Sequence, residues 1–160
     1  MTPAEAQPSV GGAVPWLTED ERRTWVTLHR VLLLLPGELD RQLREDSALS
    51  FVEYYVLVMI SEQADHTVRL SRLAILVNSE LSRLSHLIKR LEQRGLVRRE
   101  PDPTDARCTN AVLTEAGLTH LRSAAPGHVR TVRQLIFDAL GPAQQHAMRD
   151  ALGRILRALS

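Results

Sequence analysis

The chain has 160 residues, of which 44% are hydrophobic and 24% charged, and its formal net charge at pH 7 is +1. This composition excludes a disordered protein, and the length favours one domain, or one domain with dimerisation arms. A single cysteine, Cys108, excludes a disulfide framework and a cysteine-based zinc site. The N-terminal region has neither a secretory signal nor an apolar run long enough to span a bilayer, so we expect a cytoplasmic protein.

The first elements in chain order are a tail and a long helix. Residues 1–16 are rich in proline and glycine without apolar periodicity, which predicts a disordered tail. Thr18, followed by three acidic residues, is a typical helix start. Apolar residues then recur at alternating steps of three and four, as in a helix packed against a partner helix; they are Trp25, Leu28, Leu32, Leu35 and Leu39. Pro36 and Gly37 should kink or break this helix.

Three further helices are predicted in the middle of the chain. The first is expected at 50–62, where Ser50 is a good capping residue. Its predicted apolar positions are Phe51, Tyr54, Tyr55, Val58 and Met59. A short helix at about 69–77, a turn at Asn78–Ser79 and a longer helix at about 80–94 follow. Two helices joined by a tight turn form the helix-turn-helix pattern.

The C-terminal half begins with two strand-like runs, Leu96–Glu100 and Cys108–Leu113, joined by a long polar tip. This pattern predicts a β-hairpin. Thr114 should cap the next helix, with an interruption expected at Ala124–Gly127. The last helix should begin at Pro142, a favourable first-turn residue, and run to the end. Its apolar stripe consists of Met148, Leu152, Ile155, Leu156 and Leu159.

The near-neutral total conceals an uneven distribution of charge. Segment 69–99 contains eight basic residues and two acidic ones, whereas segment 1–46 contains five basic residues and eight acidic ones. A basic module attached to an acidic arm is the electrostatic pattern expected of a nucleic-acid binder.

The helix predicted at 80–94 has two distinct faces. One is apolar: Leu81, Leu84, Leu87, Ile88 and Leu91. The other contains only side chains that can donate hydrogen bonds, and none is acidic: Ser82, Arg83, His86, Lys89, Arg90 and Gln93. A merely solvated face would normally include acids, so this face predicts DNA contact in the major groove. Arg107, at the hairpin tip, is placed to enter the neighbouring minor groove.

Several of these segments, in their order and spacing, resemble MarR-type (multiple antibiotic resistance regulator) transcription factors over nearly the whole chain after the tail. The residues that carry the resemblance lie at Leu49–Leu57, Arg69–Ala74, Ser82–Val97, Asp105–Arg107, Leu113–Gly117 and His128–Arg133. The resemblance implies a mainly α fold with a small β-wing. It places a winged helix-turn-helix DNA-binding lobe at 49–114 and helical dimerisation regions at 17–48 and 115–160.

The resemblance also implies a function. It predicts a homodimer that binds a pseudo-palindromic, double-stranded DNA operator and regulates transcription, often by repression that a small ligand or oxidation relieves; the sequence does not distinguish repression from activation. The polar face and the motif match together give the expected DNA-binding residues: Ser82, Arg83, Ser85, His86, Lys89, Arg90, Asp105 and Arg107. Two positions depart from the family pattern. His86 stands where many members have arginine, and Ala106 replaces a common wing-tip glycine, where a left-handed backbone would be strained.

A small aromatic or phenolic ligand is a further expected partner. In the family the ligand pocket lies between the dimerisation helices and the DNA-binding lobe, which here implies His29, Leu33, Tyr54, Tyr55 and Met59. Aromatic residues at helical spacing more often belong to an ordinary core than to a ligand pocket. The sequence identifies neither the ligand nor the controlled genes.

Other functions receive little support from the sequence. The six histidines form no metal motif, and no nucleophile elbow or framed pair of carboxylates is present, so we expect no metal, no cofactor and no enzymatic activity. Cys108 could be a redox switch, but a small strand residue is the favoured interpretation. The alternative function is a winged-helix protein-interaction or architectural module without operator specificity.

Overall fold

The computed structural model describes residues 14–159, so most of the tail predicted at 1–16 lies outside the described residues. The chain divides into two compact units, the first ending at Leu34 and the second beginning at Leu35. One helix, α1 (Glu19–Ser47), continues from the first unit into the second.

The start of α1 agrees with the sequence prediction. Thr18 and Glu21 form a reciprocal cap: the Thr18 Oγ1 accepts from the Glu21 amide at 3.3 Å, and the Glu21 carboxylate accepts from the Thr18 amide at 2.7 Å. The helix α1 is continuous through Pro36 and Gly37, so the break considered there is wrong, and the kink, which was the other expectation, stays a prediction. Proline removes one backbone donor and disturbs only the preceding turn, so the long helical segments on either side persist.

Large apolar side chains of the first unit are exposed in the single chain. They include Trp16, Leu17, Trp25, Val26, Val31, Leu32, Leu33 and Leu34. Trp25 and Leu32 belong to the apolar seam predicted along α1, and more than half of each is accessible to solvent. Within residues 14–34, the exposed part of this seam is therefore available to a further apolar surface.

Among residues 35–159 the structure has five further α-helices. They are α2 (Phe51–Ser61), α3 (Leu70–Leu76), α4 (Leu81–Gln93), α5 (Glu115–Val132) and α6 (Pro142–Leu159). The predicted caps are present: Ser50 accepts from the Glu53 amide at 3.2 Å, and Thr114 accepts from the Gly117 amide at 2.9 Å. After α4 the chain turns at Gly95, whose φ of +72° suits glycine.

The interruption predicted at Ala124–Gly127 is wrong, since α5 passes through Pro126 without a break. Gly127 allows α5 to pack closely against α1. A Cβ on this residue would lie 2.8 Å from the Asp46 Oδ2 and 3.1 Å from the Gln42 Nε2, both on the second-unit part of α1. A π-helical turn, Arg133–Phe137, follows α5.

Three antiparallel strands form one small sheet in the order β1-β3-β2. They are β1 (Thr67–Arg69), β2 (Val97–Pro101) and β3 (Thr109–Leu113). The predicted hairpin of β2 and β3 is confirmed, with Arg99 opposite Ala111. Sequence reasoning missed β1, in which Val68 pairs with Ala111 from the other side. The observed fold is thus mainly α with a small sheet, as expected.

The core of the second unit lies between its helices and one face of the sheet. Its fully buried large side chains include Leu43, Leu49, Leu57, Ile60, Leu73, Leu84, Ile88 and Leu91. Two predicted apolar positions are wrong. Leu81 is 50% exposed, because it is the first residue of α4 and the buried stripe starts one turn later. Tyr55 is 40% exposed, because α2 is apolar nearly all round and spacing alone could not select its buried side.

Candidate nucleic-acid interface

The polar face of α4 is open to solvent. All six predicted donors are exposed: Ser82, Arg83, His86, Lys89, Arg90 and Gln93. Ser85, which the motif match added, is half-buried. On the opposite side, Leu84, Leu87, Ile88 and Leu91 are buried. This anchoring fixes the rotation of α4 about its axis and keeps the donors directed outward.

The N-terminus of α4 has no side-chain cap. Glu80 occupies the capping position, but its carboxylate makes no hydrogen bond to the first turn. The first amides of a helix have no partner within the helix, and a helix N-terminus attracts anions. The start of α4 can therefore receive a phosphate oxygen.

The turn between α3 and α4 sets the relation of the two helices. Asn78 adopts a left-handed conformation with φ of 47°, which asparagine tolerates better than most residues. The Ser79 amide donates to the Ala74 carbonyl at 2.9 Å and closes the end of α3. The predicted turn at Asn78–Ser79 is confirmed, and it brings α4 across α3 as a helix-turn-helix requires.

The basic segment 69–99 is more internally paired than its composition indicates. Five of its eight cations face carboxylates: Arg69 faces Asp102, Arg90 and Arg94 face Glu53, Arg98 faces Glu100, and Arg99 faces Glu92. The other three, Arg72, Arg83 and Lys89, form no ion pair with any residue in the range 14–159. These three are the cations that a phosphate would meet without competition from a carboxylate.

The tip of the β2–β3 hairpin presents one arginine. The Arg107 side chain is 91% exposed and forms an ion pair with Asp105. The Asp105 Oδ1 accepts from the Arg107 amide and from the Arg107 Nε, each at 3.1 Å, and this arginine holds the pKa of Asp105 below its ordinary value. Ala106 does not have a positive φ, so the backbone strain considered for it is absent.

A buried carboxylate at the base of the hairpin tip escaped sequence reasoning. Asp102 is 8% exposed and accepts two hydrogen bonds from Arg69, at 2.7 and 2.8 Å. It also accepts from the backbone amides of Thr104 and Asp105. The Arg69 guanidinium, followed by the Thr104 hydroxyl, holds the pKa of Asp102 far below its ordinary value. The aspartate before Pro103 is a turn signal, but nothing in the sequence indicates its pairing with Arg69.

Cys108 lies immediately before β3 rather than within it. Its thiol is half-buried and donates to the Asp105 Oδ2 at 3.6 Å. This contact makes the thiol part of the hydrogen-bond arrangement at the hairpin tip. The geometry therefore favours a structural role for Cys108.

The five residues expected near a ligand are distributed over both units. In the first unit, His29 lies beside Trp25, with 5.7 Å between ring centroids, and Leu33 is 66% exposed. In the second unit, Tyr54 is buried and packs on His128 with ring centroids 4.5 Å apart, while Met59 is half-buried. Burial raises the pKa of Tyr54 and lowers the pKa of His128.

The part of the chain that the structure describes has neither a cluster of metal-binding side chains nor a membrane-spanning helix. No group of three or more histidine, cysteine, aspartate or glutamate side chains there could hold a metal ion. None of the helices between residues 14 and 159 is both long and apolar enough to cross a membrane.

The sequence and fold are similar to those of known transcriptional regulators. A family model described as the MarR family matches residues 49–109. The chain is 30% identical over 136 residues to the HTH-type transcriptional regulator PecS of Dickeya dadantii. The matched region covers 83% of this chain and 80% of that protein.

Two solved structures extend the similarity to most of the chain. One is Sco3205, a MarR family transcriptional regulator from Streptomyces coelicolor in complex with DNA, with 40% identity, a TM-score of 0.86, and coverage of 91% of this chain and 94% of that one. The other is CouR from Rhodococcus jostii RHA1 bound to p-coumaroyl-CoA, with 29% identity, a TM-score of 0.71, and coverage of 82% and 90%.

Proposed function

The chain belongs to the MarR family of transcriptional regulators, and from this premise we propose that it represses transcription as a homodimer on pseudo-palindromic DNA. The observation that carries the proposal is the exposed, acid-free face of α4, whose side chains all donate hydrogen bonds. Base edges in the major groove and phosphate oxygens both accept such bonds. The structure of Sco3205 in complex with DNA supports the same assignment.

In this proposal the DNA-binding lobe comprises residues 49–114. Helix α4 enters the major groove and brings the contact residues Ser82, Arg83, Ser85, His86, Lys89 and Arg90 to bases and phosphates. The wing brings Arg107 to the backbone or the adjacent minor groove, and Asp105 keeps that arginine in place. An operator with two half-sites matches the two-fold symmetry of a dimer.

The regions at 17–48 and 115–160 supply the dimer interface in this proposal. Two exposed apolar surfaces support it. One is the seam of the first unit, which includes Trp25 and Leu32; the other is the α6 stripe, which includes Leu152, Ile155 and Leu159. Apolar stripes of this length on a small protein mark interaction sites, and a second copy is the simplest partner.

We also propose that a small aromatic or phenolic ligand regulates the protein. The support is the p-coumaroyl-CoA bound to CouR, at 29% identity to this chain. Within the second unit the candidate contacts are Tyr54, Tyr55 and Met59. A panel of phenols and aromatic acids, the acids both free and as coenzyme A thioesters, should include a compound that raises the unfolding temperature and weakens DNA binding.

Selection of random duplexes by the purified protein tests the function directly. A pseudo-palindromic consensus is the expected result, and a reporter gene placed behind that site should be expressed less when the protein is present. Absence of any enriched sequence would contradict the proposal and favour an architectural or protein-interaction module. No catalytic role is proposed, since members of the family act as regulators, and the expected location is the cytoplasm.

A further inference from the structure

Glu53 is a buried acid on α2 to which the proposed DNA contacts assign no role. The residue is 8% exposed and occupies the third position of the helix. Its Oε2 accepts from the Ser50 amide at 2.8 Å, while its own amide donates to the Ser50 hydroxyl at 3.2 Å. This reciprocal cap uses one carboxylate oxygen and holds the side chain in a single position.

The same carboxylate faces two arginines of α4. The Glu53 Oε1 lies 3.6 Å from the Arg90 Nη2, and the Oε2 lies 3.7 Å from the Arg94 Nη1. Arg90 and Arg94 are four residues apart, so they lie on one side of α4 in successive turns. A single acid that bridges two successive turns restrains both the rotation of a helix about its axis and its displacement along it.

The first turn of α2 is itself fixed to α1. The Asp40 Oδ1 accepts from the Phe51 amide at 2.8 Å, and Arg44 lies close enough to interact with both Asp40 and Glu53. The backbone turn that carries Glu53 is thus held in place against α1. A buried carboxylate without a cation is unfavourable, so the bridge to α4 is maintained.

We propose that Glu53 is a positioning residue for sequence recognition, acting through Arg90 and Arg94. It supplements the buried apolar face of α4 in fixing the rotation of the helix, and so helps to direct the reading face, centred on His86, toward the groove. It also pairs with Arg94, a cation outside the proposed contact set that would otherwise bind the phosphates of any duplex. This inference rests on the proposed DNA-binding function and concerns the discrimination between sequences.

The test compares Glu53→Gln with Glu92→Gln. Glutamine keeps the capping geometry of Glu53 and removes its charge. Glu92 also lies in α4, and its carboxylate accepts from Arg99 at 2.9 Å. It forms no ion pair with α2. Glu92→Gln therefore makes the same change of charge as Glu53→Gln without breaking a contact between α2 and α4. Fluorescence anisotropy would give affinities for the selected duplex and for a random duplex, over a range of salt concentrations.

Glu53→Gln should bind random duplex more tightly, with a salt slope steeper by about one per protomer. The ratio of specific to random affinity should fall roughly tenfold, the size of one lost base-pair contact. Glu92→Gln should strengthen both affinities together and keep the ratio within about twofold. Equal changes of the ratio in the two variants, or an unchanged ratio in Glu53→Gln, would overturn the inference.

Arg94→Gln provides an independent arm if Glu53→Gln unfolds, which circular dichroism would reveal. Arg94→Gln removes a cation, so it should not strengthen binding to random duplex. It should nevertheless lower the ratio of specific to random affinity. The double variant Glu53→Gln/Arg94→Gln should have an affinity ratio no lower than that of Glu53→Gln alone, because both substitutions break the same bridge between Glu53 and α4. If the reductions of the affinity ratio in the two single variants multiplied in the double variant, Glu53 and Arg94 would act independently, which would contradict the proposal. A wild-type protein without any sequence preference would instead contradict the proposed function itself.

Discussion

Arg69 and Asp102 are separated by 33 positions in the sequence and joined by two hydrogen bonds of 2.7 and 2.8 Å. Arg69 is both the last residue of β1 and the residue that precedes α3. Asp102 begins the hairpin tip that carries Arg107. The pair therefore fastens the wing to the start of the helix-turn-helix, and a bidentate arginine–carboxylate contact gives that connection a defined geometry.

Replacing Asp102 with asparagine should lower the unfolding temperature at neutral pH. Because the pKa of Asp102 is lowered on folding, its ionised form stabilises the fold above its ordinary pKa of 3.8, and this contribution is lost as the pH falls below that value. The difference in unfolding temperature between wild type and Asp102→Asn should therefore shrink between pH 5 and pH 3. Asp138→Asn, in an exposed pair with Arg133, should change stability by less than about 0.5 kcal/mol at any of these pH values. A constant difference for Asp102 would argue against the ion pair.

Ala48 offers a backbone test. It follows α1 with φ of 53°, a left-handed conformation in which a Cβ is unfavourable. Ala48→Gly should raise the free energy of unfolding by about 0.5–1 kcal/mol. Gly95→Ala is the matched opposite: its φ is +72°, no atom lies within 4 Å of the added Cβ, and it should cost about 1 kcal/mol. Urea denaturation at one fixed protein concentration would measure both, and effects of the same sign would refute the backbone explanation.

Arg107→Ala should weaken binding to all duplexes by a similar factor rather than change the preferred sequence. An exposed arginine on a wing contributes mainly phosphate or minor-groove contacts. The slope of log affinity against log salt should decrease by about one per lobe. Arg122→Ala, which removes an exposed arginine from α5, is the matched control and should leave the slope unchanged. If the two variants had the same slope as the wild type, the wing would not contact DNA.

His86→Ala should cost about 1–3 kcal/mol at the selected site and less on random duplex. His86 is exposed at the centre of the α4 polar face, one turn from Ser82 and three residues from Lys89. An imidazole there can donate to a guanine edge or to a phosphate. His146→Ala, on α6, controls for the general loss of an exposed histidine and should bind DNA as the wild type does. Affinities measured by anisotropy that are equal for His86→Ala and wild type would remove His86 from the contact set.

Leu152→Glu should convert the homodimer into monomers. Leu152 is 47% exposed in the single chain, so a charge there should be tolerated by the fold but not by a buried interface. Arg154→Glu places the same new charge two residues away, at another exposed position of α6, and should remain dimeric. Light scattering at micromolar concentration would distinguish the two states. A wild-type protein that is already monomeric and well behaved would refute the homodimer.

The sequence predicted those elements whose information is local. The alternation of apolar and donor residues along α4 correctly placed Leu84, Leu87, Ile88 and Leu91 inside. The caps at Ser50 and Thr114 were equally readable, because the capping residue and the amide it binds are three positions apart. The site residues on α4 could be named for the same reason.

Features that depend on the tertiary fold could not be predicted. Three residues, Thr67–Arg69, are too few to show the alternation of a strand, and β1 exists because β3 has a free edge. Pro126 and Gly127 looked like a helix stop, whereas the glycine is required by the approach of α1. The pairing of Asp102 with Arg69, and of Glu53 with α4, joins segments that are distant in the chain. Local patterns contain no record of such contacts.

The strand order β1-β3-β2 leaves two free edges, and each is unsuited to association with another strand. β1 has three residues before the chain becomes helical. β2 contains two arginines, a glutamate and a terminal proline, and the outward amide of Arg99 already donates to Glu92 at 3.1 Å. Charged, short or covered edges prevent the edge-to-edge pairing that leads to amyloid-like aggregation. The wing can therefore project from the molecule without serving as a template for fibril growth.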